Sequence, residues 1–182
     1  MDAAALEQPP ASPALDFTEV YRDNAAYLWR VLRRLGVAER HLADVAHDAF
    51  VVVHRRLDSY DAQRPLRPWL TGIAYRVASE HRRRAVQRHE VLDGDRETEP
   101  APQRGVEAQL IARQRCRILR EALDKLDVKK RDVFVLHDIE GYSMPEIAEI
   151  VEAPLNTLYS RLRLARRELR ELVDEVGDGE TP

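Results

Sequence analysis

The chain has 182 residues, room for one or two domains. Its 29 Lys and Arg against 32 Asp and Glu leave a net charge of −3, which argues against a protein that coats nucleic acid non-specifically; its 44% hydrophobic content excludes wholesale disorder. A single cysteine, Cys116, excludes an internal disulfide framework and a multi-cysteine zinc site, and it fits a reducing compartment.

Residues 1–15 carry acids and prolines but neither a basic n-region nor a long apolar run, so they read as a disordered tail rather than a secretory signal. The longest strongly apolar stretch, 49–53, is far too short to cross a bilayer; no membrane insertion and a cytoplasmic location are expected. Phe17, Val20, Tyr21, Leu28, Val31, Leu32 and Leu35 recur at three- and four-residue steps and predict a first helix. Asp16 and Glu19 suggest a capping box at its start, and Gly36 a stop at its end. A second helix runs through Leu42, Val45, Ala46, Ala49, Val53 and Leu57 to the turn Asp58-Ser59-Tyr60-Asp61. Pro68 suits the first turn of a third helix, which continues through Trp69, Ile73, Ala74 and Val77 into Arg82-Arg83-Arg84. The stretch 90–105 is acidic, lacks aromatics and carries several Gly and Pro, the composition of a flexible linker. Helical periodicity resumes at Ile111 and continues through Leu126, followed by helices near Lys130–Ile139, Ser143–Val151 and Leu155–Val173. The expected fold is therefore all-α: a tail 1–15, a helical domain 16–89, a linker 90–108, a second helical domain 109–173 and an acidic tail 174–182. Cys116 falls on a helix of the second domain and is expected to be a small apolar filler.

The charges are segregated. Between 64 and 88, Arg64, Arg67, Arg76, Arg82, Arg83, Arg84 and Arg88 meet one acid, Glu80. Between 155 and 172, Arg161, Arg163, Arg166, Arg167 and Arg170 outnumber Glu168 and Glu171. One basic stripe is more often a solvated helix face; two on separate modules, with an acidic connector, suit a two-handed nucleic-acid binder. In the second module, Ser143-Met144-Pro145-Glu146 forms a capping box. After the break Glu152-Ala153-Pro154, one amphipathic helix places Leu158, Leu162, Ala165, Leu169 and Leu172 inward and Asn156, Tyr159, Ser160, Arg163 and Arg167 outward. That is the helix-turn-helix plan; spacing alone equally allows an αα-hairpin with a solvated face.

The run 131–169 carries Arg131, Val133, Phe134, Leu136, Glu140, Gly141, Ser143, Glu146, Ile147, Ala148, Thr157, Ser160, Arg161, Leu162, Ala165 and Arg166. In order and spacing it resembles domain four of bacterial RNA polymerase sigma factors of the extracytoplasmic-function group. The first module resembles domain two of the same group through Phe17, Val20, Tyr21, Asp44, Val45, Ala46, His47, Asp48, Phe50, Leu57, Asp58, Ser59, Tyr60, Asp61, Trp69, Leu70, Ile73 and Ala74.

The resemblance implies an alternative sigma factor, without a catalytic centre or cofactor, that binds core RNA polymerase, directs it to promoter DNA and assists melting. It implies contact with the clamp coiled coil of the polymerase largest subunit through Asp44, His47, Asp48 and Arg55. It implies readout of the minus-ten element by Tyr60, Asp61, Arg64, Arg67, Trp69, Tyr75 and Arg76. Readout of the minus-thirty-five element would fall to Asn156, Thr157, Tyr159, Ser160 and Arg163 at base edges, with Arg161, Arg166 and Arg167 at phosphates. An anti-sigma factor is a further implied partner. His47, Arg76, Glu152 and Leu164 depart from the usual family residues; if Glu152 needs φ > 0, the strain is of order 1 kcal/mol. The spacing of Asp44, His47 and Asp48 can place metal ligands on one helix face, but no further His or Cys partner has matching spacing, so no metal is expected. Two other functions fit parts of the pattern: a stand-alone helix-turn-helix regulator and an all-α protein–protein adaptor.

Overall fold

A computed structural model describes residues 15–87 and 106–178, with side chains described for 15–87 and 114–174. Residues 1–14 of the expected tail, most of the linker and residues 179–182 lie outside the described residues, as does Arg88. Among the described residues there is no strand. The helices are α1 (Phe17–Arg34), α2 (Glu39–Arg56), α3 (Leu66–Gln87), α4 (Val106–Lys125), α5 (Val128–Phe134), α6 (Met144–Val151) and α7 (Leu155–Asp178).

Local chemistry accounts for the ends. Asp16 caps α1 by accepting from the Thr18 amide at 3.1 Å. Gly36 closes the helix at φ +83, the left-handed conformation that costs glycine least. The second half of the expected Asp16 capping box, a bond back from Glu19, is not among the contacts. Along α1 the buried residues Val20, Leu28, Val31 and Leu32 meet Leu42, Val45, Ala49 and Val53 of α2 and Leu70, Ile73 and Ala74 of α3 in one apolar cluster. Each of these three helices packs against the other two. In the second module α4, α5 and α6 all pack on α7.

Three boundaries differ from expectation. The fourth helix begins at Val106, inside the stretch read as linker, and α7 continues through Asp178 into the stretch read as a tail. The helix expected near 130–139 is α5 followed by a π turn, Val135–Ile139. Cys116 is exposed on α4, so it is not the core filler that its helical setting suggested.

The larger departure is between the modules. A flexible linker implies two separate helical domains, yet they share a core: Ala122, Leu123, Leu126, Val135, Ala165 and Leu169 of the second belong to the same buried cluster as Leu28, Leu42 and Leu70 of the first. Polar groups stitch the boundary. The hydroxyls of Tyr27 on α1, Thr71 on α3 and Tyr142 between α5 and α6 form a closed ring at 2.7, 2.8 and 2.8 Å. Arg82 donates to the Leu35 carbonyl, to Ser79 Oγ at 3.1 Å and to Asp132 Oδ2 at 2.9 Å. Arg34 donates to Glu140 at 2.8 Å. The Arg131 guanidinium lies so close over Gly36 that a Cβ there would stand 2.0 Å from Nη2. Arg82 belongs to the basic stripe expected to suit a nucleic-acid binder; its 7% exposure makes it an internal ion-pair partner instead.

Asp132 carries a measurable signature of this burial. Desolvation pushes its carboxyl up to about 6, outweighing the pull of Arg82 and Arg131 and reinforced by Asp127. A carboxyl raised in the folded state contributes stability that is fully present below its unfolded value and lost as the pH rises through about 6. The melting temperature of the native protein minus that of Asp132→Asn, which cannot titrate, is therefore expected to be smaller at pH 7.5 than at pH 5. Thermal melts of both chains at the two pH values check this.

Candidate nucleic-acid interface

The second module builds a helix-turn-helix. Glu146 opens α6 by accepting from the Ser143 amide at 2.8 Å and hydroxyl at 2.7 Å, and these bonds hold its carboxyl below the usual range. Glu152 ends α6 at φ 53 and ψ 49, the strained left-handed position that a glycine would fill without cost. The turn aims α7 across α6. Ile147 and Leu158, both fully enclosed, lock the two helices together over Leu136 and Val133.

This packing decides the faces of α7. Leu158, Leu162, Ala165 and Leu169 are buried, whereas Asn156, Tyr159, Ser160, Arg163 and Arg167 are exposed. Leu172, placed inward by its spacing, is partly buried. Thr157 and Arg161 are half-buried at the edges of the exposed face. Arg166 is exposed, but its guanidinium makes two bonds to Asp138, at 2.8 and 2.6 Å. It pins α7 to the π turn rather than standing free as a cation. The exposed face offers amide, hydroxyl, phenol and guanidinium groups within a few turns, a donor and acceptor set suited to base edges and phosphates of a major groove.

On the first module the loop before α3 is internally tied. Tyr60 donates to the Arg64 carbonyl, and Asp61 accepts from the Gln63 amide at 3.0 Å. The rings of Tyr60 and Trp69 sit 4.8 Å apart. The chain thus brings Tyr60, Asp61, Arg64 and Trp69 together, with Trp69 partly packed on the core. Arg67 stacks over the Tyr27 ring at 5.1 Å. Tyr75 and Arg76 lie further along α3 and are not free. Tyr75 packs against the cores of both modules, and Arg76 faces Glu152 at 3.4 Å.

Asp44, His47, Asp48 and Arg55 are all exposed on α2. His47 and Arg55 border a hollow lined by Phe17, Tyr21, Phe50 and His54, whose rings stack edge-on at 4.7 to 6.5 Å. Sequence reading missed this hollow as a surface. Its signal was two aromatic pairs at i, i+4, Phe17/Tyr21 and Phe50/His54, on helices that face each other. On the other side Asp48 and Arg55 edge a groove floored by Val51, Val52, Ile73 and Val77. Among the described residues no helix is long and apolar enough to cross a membrane.

Residues 20–88 match the sequence family described as Sigma-70 region 2, and residues 116–169 match Sigma-70, region 4. The chain is 31% identical over 170 residues to the RNA polymerase sigma factor CnrH of Cupriavidus metallidurans, covering 87% of this chain and 86% of that one. It is 26% identical over 175 residues to the ECF RNA polymerase sigma factor SigW of Bacillus subtilis, covering 88% and 89%. Its fold is similar to that of CnrH solved with the cytosolic domain of CnrY, at 27% identity and a TM-score of 0.60, covering 87% of this chain and 88% of that one. It is also similar in fold to the sigma factor RpoE solved with the anti-sigma factor NepR from Bartonella quintana, at 21% identity and a TM-score of 0.67, covering 87% and 97%.

Proposed function

Because the chain belongs to the sigma-70 family of bacterial RNA polymerase sigma factors, in its extracytoplasmic-function group, we propose a division of labour between its two modules. The protein is an alternative sigma factor that directs RNA polymerase to promoters. On our reading domain two, 16–89, docks on the clamp coiled coil of core polymerase through Asp44, His47, Asp48 and Arg55 of α2. The same domain takes the minus-ten element on Tyr60, Asp61, Arg64, Arg67, Trp69, Tyr75 and Arg76. Stacking platforms beside cations hold separated single strands, and the Tyr60–Trp69 pair beside Arg64 is such a platform. Domain four, 109–173, reads the minus-thirty-five element with Asn156, Thr157, Tyr159, Ser160 and Arg163, while Arg161 and Arg167 meet phosphates. Arg166 would reach a phosphate only by leaving Asp138.

The observation that carries the reading is the joint match of both sigma regions in family order, with the polar residues of α7 exposed on one face. In this reading the chain has no catalytic centre; nucleotidyl transfer belongs to the polymerase, and the site of action is the cytoplasm. The CnrH relative was solved in complex with the cytosolic domain of CnrY and the sigma factor RpoE in complex with the anti-sigma factor NepR; on that likeness a protein partner of the anti-sigma type is proposed for this chain as well.

Run-off transcription from genomic promoter fragments, with and without this chain added to core polymerase, tests the function. Transcripts that appear only with both components support it, and no transcript from any promoter overturns it. Arg167→Ala, which removes an exposed cation from α7, is expected to weaken promoter binding by the holoenzyme evenly across sequences. The slope of log K against log salt should fall by about one. Binding titrations at several salt concentrations measure both.

A further inference from the structure

Leu155 is left over by the packing of α7. It stands three residues before Leu158, so spacing alone would extend the buried stripe of Leu158, Leu162, Ala165 and Leu169 through it. It is nevertheless 42% exposed and belongs to neither apolar cluster. The turn accounts for this. Glu152 redirects the chain at φ 53, and Ala153 is packed on the cluster around Leu158. The turn itself thus fills the apolar position at this end, and Leu155 is left outside.

Leu155 does not stand alone. Tyr159 follows it by one turn, about 40° round the helix, and is 56% exposed. Among the large apolar side chains exposed in the described residues, these are the only two that share a helix. A single exposed apolar residue is ordinary; two at this spacing form a short apolar strip. Beside the strip the face is polar, with Asn156, Ser160 and Arg163 all exposed.

The edges of base pairs in a major groove are donors and acceptors with one apolar feature, the 5-methyl group of thymine. The first turns of a recognition helix are the part that reaches those edges. Asn156, Ser160 and Arg163 can pair with donors and acceptors. Leu155 can do neither, and it gains only by displacing water from another apolar group.

We propose that Leu155, flanked by Tyr159, is a specificity-determining residue of the minus-thirty-five face and closes over the 5-methyl group of a thymine. The chain then selects an A·T pair opposite the first turn of α7 by its methyl group, independently of the hydrogen bonds made by its neighbours. This rests on the assignment of α7 to the minus-thirty-five element, and it gives a role to a residue outside the set assigned there.

The test uses holoenzyme assembled from core polymerase and the full chain. The probe is the promoter fragment that gives the strongest run-off transcript, as a fluorescein-labelled duplex in two versions. One carries thymine throughout the minus-thirty-five element; the other carries uracil there, which keeps every donor and acceptor and lacks only the methyl. The native chain is expected to bind the thymine duplex about fourfold more tightly for each methyl covered, the effect of burying one such group. Leu155→Ala is expected to bring the ratio close to one with a melting temperature within a degree or two of native, and Tyr159→Ala to lower the ratio. Arg167→Ala should weaken both duplexes alike and keep the ratio, as a phosphate contact does. Equal binding of the two duplexes by the native chain overturns the proposal, as does a native-like ratio in Leu155→Ala or Tyr159→Ala. An element without any A·T pair overturns it too, and so does a marked loss of melting temperature in Leu155→Ala, which would make the residue part of the core. A transcribed promoter whose two duplexes bind alike removes the methyl contact and keeps the sigma function. No transcript from any promoter removes both.

Discussion

Leu158→Ala is expected to abolish promoter-specific transcription by collapsing the helix-turn-helix rather than by removing a DNA contact. Leu158 is fully enclosed, and it packs in a cluster of only a few large side chains, among them Val133, Leu136, Ile147 and Leu162. Truncating a buried leucine costs about 2–5 kcal/mol, the transfer energy plus the cavity it leaves. A cluster this small has few neighbours able to relax into the space, so the upper part of that range applies. The next residue supplies the control. Tyr159 is 56% exposed, so Tyr159→Ala should leave the melting temperature within a degree or two while changing promoter preference. Thermal melting read beside run-off transcription separates the two effects. Equal melting of Leu158→Ala and the native chain would show that α7 is not anchored through this residue.

The second large effect lies at the boundary between modules. Arg82→Met alone is expected to cost about 3–5 kcal/mol, because it leaves the buried carboxyl of Asp132 without the guanidinium that hydrogen-bonds it. Asp132 is 2% exposed and Arg82 7%, so neither group recovers water while the modules stay closed. Replacing both residues, Arg82→Met with Asp132→Leu, removes the desolvation cost along with the attraction, and most of the lost stability is expected to return. Chemical denaturation of the native chain, the two single variants and the double variant completes the cycle. Additive losses would mean that the two side chains act independently and that the 2.9 Å contact holds nothing.

Much of the architecture was legible in the sequence because its signals are local. The three- and four-residue spacing of Val20, Leu28, Val31 and Leu32 names the buried face of α1. Gly36 marks its end, and Ser143 and Glu146 mark the start of α6. Glu152 was suspect at the turn because glycine is usual there in the family, and its φ of 53 bears out that suspicion. The exposed set on α7 also followed from spacing, since burial of Leu158, Leu162 and Ala165 leaves the other side to solvent.

The docking of the modules was not legible, for a physical reason. Its contacts are made by groups that look solvent-facing one at a time. Arg82 stands in a run of three arginines, and only its neighbours Arg83 and Arg84 behave as expected, exposed and paired with Glu80 at 2.9 Å. Thr71 and Tyr142 carry hydroxyls that spacing would send to either face. The burial of Arg82 and Thr71 depends on which helix lies opposite, and the 3.6-residue period of one helix holds no information about that. The same blindness hid the packing of Tyr75 against both modules' cores, while the loop group Tyr60, Asp61 and Arg64 emerged intact because it is closed by its own hydrogen bonds.

The π turn at Val135–Ile139 makes the alignment of this boundary a matter of residue count. A π turn accommodates one more residue than the α-helical turn it interrupts, and one residue corresponds to about 100° of helical rotation. Glu140 and Tyr142 leave that turn directly towards Arg34 and Tyr27. Deleting any single residue from 136–139 would let the segment relax to ordinary helix and swing both side chains about a quarter of a turn away from their partners. Length polymorphism at this one spot would thus uncouple the modules even if every side chain named at their boundary were retained.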